Sequence, residues 1–85
     1  MGSRYVETPG YLLMLKRVVA SAGRRVGRCD PEDLALLVSI RGDLDAAIQV
    51  AVDGLRGDGY TWQSIGDALG VTRQAALMRW GHTKS

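Results

Sequence analysis

The chain has 85 residues, enough for one domain and too few for two independent cores. Hydrophobic residues make up 46% and charged residues 24%, as in an ordinary globular protein, and the net charge is only +2. No apolar run nears the roughly 20 residues that cross a bilayer, the opening residues do not read as a signal-peptide pattern, and a single cysteine (Cys29) with a single histidine (His82) excludes an internal disulfide and a four-ligand Cys/His zinc site.

Residues 1–8 read as an N-terminal tail ahead of a single helical domain over 9–85. Thr8-Pro9 reads as the first helix start, with Thr8 as N-cap and Pro9 at the first helical position. Tyr11, Leu12, Leu15, Val18, Val19 and Ala22 then recur at the three-four spacing of a helix with one apolar face. Gly23 and Gly27 place the exit somewhere near residues 23–28. Lys16, Arg17, Arg24, Arg25 and Arg28 stand in a stretch without acids. They are candidate phosphate contacts. The arginines serve equally well as a solvated last turn that complements the negative end of the helix dipole.

Asp30-Pro31-Glu32-Asp33 is the clearest helix start in the chain, combining a capping residue, a proline at the first position and acids near the positive dipole end. Leu34, Leu37, Arg41, Leu44, Ile48, Ala51 and Leu55 follow at alternating steps of three and four. The spacing predicts one long helix to Arg56, about 39 Å at 1.5 Å per residue, with Gly42 as its weak point. This middle stretch is acidic, so it should face away from any nucleic acid. Arg41 interrupts the stripe, and a small bend through Ile40 would leave its guanidinium in solvent. A helix this long exceeds what the rest of the chain can cover. A lone core in so short a chain yields only about 3–5 kcal/mol, so a second copy would add stability. Gly57-Asp58-Gly59 ends the helix.

Two short helices are predicted next, hinged on Gly70-Val71-Thr72. Thr61 caps the first, from Trp62 to about Leu69, with Trp62, Ile65 and Leu69 inward and Gly66 allowing close approach of its neighbour. Gly70 ends it, Val71 plugs the corner and Thr72 caps the second, Arg73 to Trp80. A tight glycine turn between two helices is the pattern of a helix-turn-helix, placed here at 61–81. Its second helix enters the major groove with its first turns at the base edges. Arg73 and Gln74 occupy that first turn, where arginine pairs with guanine and glutamine with adenine. Ala76 and Trp80 face the core. Leu77 and Met78 are placed to touch thymine methyls or to pack internally. Arg79, Thr61 and Thr72 are placed for phosphates.

Residues 59–81, GYTWQSIGDALGVTRQAALMRWG, resemble a tract common in small actinobacterial and actinophage helix-turn-helix proteins. The turn and second helix are also similar to the DNA-reading end of sigma factors, region 4. The matches are Trp62, Ile65, Gly66, Ala68, Leu69, Gly70, Val71, Thr72, Arg73, Gln74, Ala75, Ala76, Arg79 and Trp80. The resemblance implies DNA binding, usually in transcription. Leu77-Met78 departs from the polar pair often found there, which shifts the expectation at that turn toward a hydrophobic contact.

The expectation is an all-α, non-enzymatic protein that binds specific double-stranded DNA as a homodimer, its two half-sites about 34 Å apart. It would be cytoplasmic and nucleoid-associated, with no cofactor, metal or membrane contact. The alternative is an interaction module for RNA polymerase, a sigma factor or another host protein. A third reading is nonspecific nucleoid binding through the basic residues of the first helix.

Overall fold

Four helices follow one another: α1 (Ser3–Val26), α2 (Glu32–Gly57), α3 (Trp62–Leu69) and α4 (Arg73–Trp80). No strand occurs among the described residues. The coordinates are a computed structural model that describes residues 3–81. His82, Lys84 and the first two residues of the expected tail lie outside the described residues.

The first helix corrects the expected start. It begins at Ser3, so residues 3–8 are helix rather than tail, and Pro9 lies inside it instead of opening it. Proline suits a first turn because its missing N–H has no intrahelical acceptor there. Deeper in, it removes one backbone bond and crowds the preceding turn, at a cost of about 3 kcal/mol. The helix continues on both sides of that gap. At its far end the backbone tightens, with Arg28 N donating to Arg25 O at 3.1 Å and Cys29 N to Val26 O at 3.0 Å. Arg24 and Arg25 sit in this last turn, at the negative end of the dipole.

Helix α2 starts at Glu32, one residue later than expected, so Pro31 precedes the first helical position instead of occupying it. Asp33 N donates to Asp30 O and Leu34 N to Pro31 O, while Glu32 and Asp33 occupy the first turn. It runs 26 residues, passing Gly42 without a break, and Arg41 is exposed. The end is a left-handed turn: Gly59 has φ +97°, and Tyr60 N reaches back to Leu55 O at 3.0 Å. A side chain at that φ would be strained, which accounts for the glycine.

Packing divides the chain into two compact units, 1–41 and 42–85, with the boundary inside α2. In the first, α1 and the opening turns of α2 meet at a corner groove of about 230 Å³ lined by Ala22, Val26, Cys29, Leu36 and Leu37 among others. No described residue of this unit is buried. The second unit has a small core in which Val52 of α2, Ile65 of α3 and Ala76 of α4 come together, with Trp62 and Trp80 packed against them.

Candidate nucleic-acid interface

Local chemistry sets α3 and α4 almost residue by residue. Thr61 is extended at φ −88°, and its Oγ1 accepts from Ser64 N at 3.0 Å. Ser64 Oγ accepts in turn from Thr61 N at 3.2 Å, a reciprocal cap that uses two otherwise unpaired donors. Gly70 closes the helix at φ +74°, and Val71 N donates to Gly66 O at 2.9 Å. Thr72 then caps α4, its Oγ1 accepting from Ala75 N at 3.0 Å.

Gly66 permits the corner to close. A Cβ there would stand 2.8 Å from the carbonyl oxygen of Val71 and 3.1 Å from that of Thr72, both backbone atoms. The chain that follows the turn therefore lies directly on the bare Cα of α3. Ala76, at 0% exposure, is the matching small residue on α4, and Trp80 is half-buried one turn later.

With that face of α4 committed to packing, the other is open. Arg73, Gln74, Ala75, Met78 and Arg79 are all exposed. Thr72, Arg73 and Gln74 line an open groove of about 670 Å³ together with Gln63, Asp67, Gly70 and Val71. Sequence reasoning overlooks Gln63 and Asp67, although their spacing of four on α3 is the available signal. Gln63 Nε2 donates to Asp67 Oδ1 at 3.0 Å, which presents a polar edge opposite Arg73 and Gln74.

The remaining candidates fall elsewhere. Thr61 is exposed at the start of α3, outside this groove, with its hydroxyl oxygen engaged in the cap. Arg79 lies over the Trp80 ring, 5.2 Å from the ring centroid, which fixes its stem while leaving the residue exposed. Leu77 is half-buried, with its Cδ1 2.7 Å from where a Gly81 Cβ would be, whereas Met78 is 74% exposed. The adjacent pair thus splits, one residue inward and one outward. Lys16, Arg17, Arg24, Arg25 and Arg28 are exposed residues of the first unit.

Two inward expectations need correction. Leu69 is 50% exposed and Val71 40% exposed, so neither acts as a buried plug. Two eight-residue helices around three buried side chains lack the surface to cover every apolar residue at their corner. The bracing comes instead from polar contacts that the apolar pattern does not reveal. Arg56 Nη1 donates to Tyr60 O at 2.9 Å while its guanidinium sits 5.1 Å from the Trp62 ring centroid. Gln49 Nε2 donates to Trp80 O at 2.9 Å.

The chain matches no family model, no curated protein and no solved structure. What this surface can do follows from its chemistry. A guanidinium and a carboxamide side by side in the first turn of a helix can read purine edges. The amides and the threonine hydroxyl at the start of that helix can hold a phosphate oxygen.

Proposed function

We propose that the protein binds specific double-stranded DNA through a helix-turn-helix formed by α3 and α4, and acts as a homodimeric transcriptional regulator. The observation that carries this reading is the division of α4 into two faces. Ala76 is wholly buried while Arg73 and Gln74 stand exposed in an open polar groove beside the capped helix start. A helix held rigidly by one face, with arginine and glutamine in its exposed first turn, has the form of a major-groove reader. The resemblance of residues 59–81 to small actinobacterial and phage helix-turn-helix proteins supports the same reading. The decisive experiment is selection of fragments from the source genome by the purified protein at near-physiological salt. An enriched inverted repeat is the expected result, and uniform or absent recovery overturns it.

One observation favours a second reading, a module that docks on RNA polymerase, a sigma factor or another host protein. Met78 projects from the same surface at 74% exposure, and Asp67 lines the groove, where phosphates would be repelled. A methionine on an open face suits an adaptable protein contact better than a phosphate backbone. Recovery of a protein partner after nuclease treatment, with no duplex retained, would establish this reading in place of the first.

A further inference from the structure

We propose that two copies of the chain pair through α1 and α2, with α1 of one copy lying antiparallel along the apolar stripe of α2 in the other. This gives surfaces to the homodimer of the proposed function, and it requires no DNA contact. The need for a cover is plain in the first unit, where no described residue is buried. Amphipathic helices of this kind draw most of their stability from packing of the apolar face. Tyr11, Leu15 and Val18 share one face of α1, and Leu37, Leu44 and Ile48 share one face of α2. Within residues 1–41 the two helices meet only at their corner instead of lying side by side. Within that unit nothing covers the stripe of α1.

Area, length and charge all fit a second copy. The large exposed apolar side chains of the two helices are each 37–71% exposed. Setting aside Leu13 and Val50, which fall on the opposite sides of their helices, and Leu36, which lines the corner groove, twelve remain. At roughly 100 Å² for a fully exposed side chain, half of that over twelve residues is about 600 Å² of apolar surface. Interfaces of this kind are about 60–65% apolar, so the whole patch comes to roughly 900–1,000 Å², against ~800 Å² per partner in a standard interface. Helices of 24 and 26 residues overlap along almost their full length. The cations of α1 run along one helix and the excess acids along the other. In full antiparallel overlap Lys16 of one copy stands beside Asp45 of its partner, on the same flank of each stripe, as antiparallel pairing requires. An anionic lipid surface would attract α1 but repel the acidic side of α2, so a second copy is the better occupant.

The test uses the full chain in sedimentation equilibrium and native mass spectrometry. The wild-type protein is expected at twice its 9.2 kDa mass. Leu15→Glu with Val18→Glu should weaken self-association at least about tenfold, since two charges would enter an apolar seam. Leu13→Glu, on the opposite side of α1, should leave it unchanged. If the double variant melts α1, seen as lost helical dichroism, the exposed charge-swap pair carries the test. Chains with Lys16→Asp mixed with chains carrying Asp45→Lys should form mixed pairs well above the statistical half, because only the mixed pair restores both contacts. A monomer at all concentrations, a statistical mixture, or a monomer that binds anionic vesicles would overturn the proposal. A dimer that binds no duplex defeats the DNA reading alone, and a monomer that binds duplex defeats this pairing and the homodimer with it, while the DNA contact stands.

Discussion

Gln49 and Trp80 are joined by a hydrogen bond of 2.9 Å across 31 residues of sequence, the amide of one donating to the backbone carbonyl of the other. That carbonyl belongs to the last turn of α4, where helices leave such groups without an internal partner. The same Gln49 Nε2 donates to Asp53 Oδ1 at 2.9 Å, so one half-buried side chain fixes the end of α4 against α2. Gln49→Met should cost about 1 kcal/mol of unfolding free energy, the net worth of an ordinary hydrogen bond. Gln49→Glu should cost roughly 2 kcal/mol, because a carboxylate would face both the Trp80 carbonyl and Asp53. Urea denaturation of the two variants gives the order, and no loss in Gln49→Met would mean that the bond contributes nothing.

Gly66 and Gly70 are expected to fail for different reasons. Gly66→Ala pushes a methyl against the Val71 carbonyl 2.8 Å away and should cost about 2 kcal/mol through a forced backbone shift. Gly70→Ala meets open space, so only its φ of +74° is penalised, by about 1 kcal/mol. Gly70→Asn should recover part of that loss, since asparagine tolerates the left-handed region, while Gly66→Asn should not recover any. Thermal melting of the four proteins decides it.

The capping threonines separate stability from recognition. Thr61→Ala and Thr72→Ala should each cost about 1 kcal/mol in stability, as lost N-caps do. Replacing either with serine or aspartate keeps the cap and should return most of the loss. Aspartate at position 72 would at the same time repel a phosphate at the start of α4. Duplex affinity should therefore fall for Thr72→Asp even though the fold is restored, and binding isotherms beside melting curves would reveal the split.

Within the DNA reading, Arg73 and Gln74 divide the work from Arg79. Arg73→Ala or Gln74→Ala should lower affinity for the selected site about tenfold to a hundredfold and relax preference at one base position. Arg79→Ala should weaken all duplexes alike and reduce the salt slope by about one. Met78→Ser should change duplex affinity less than about threefold. A loss of protein-partner binding with duplex affinity intact would instead favour the docking module.

Much of the second unit is legible because its determinants are local. Thr61, Gly70 and Thr72 act on backbone groups within three or four residues of themselves. Pro9 misleads because the same residue that favours a first turn is also tolerated, at a cost, inside a helix. Leu69 and Val71 mislead because apolar spacing marks a face without revealing how much of it a neighbour covers. Gln49 and Arg56 are invisible for a third reason. Their partners are backbone oxygens and an aromatic face, and no residue pattern encodes the approach of either.

The placement of the two tryptophans has a spectroscopic consequence. Trp62 and Trp80 both pack on the Val52, Ile65 and Ala76 cluster, each with an arginine near its ring. The chain has no others. Indole emission therefore reports on residues 42–85 alone, whereas far-ultraviolet dichroism is dominated by the two long helices. An unlabelled sample thus carries two optical probes with different fields of view. Coincident curves would mean that the boundary at Arg41 and Gly42 transmits order along the helix, and separated curves would show each unit melting in its own range.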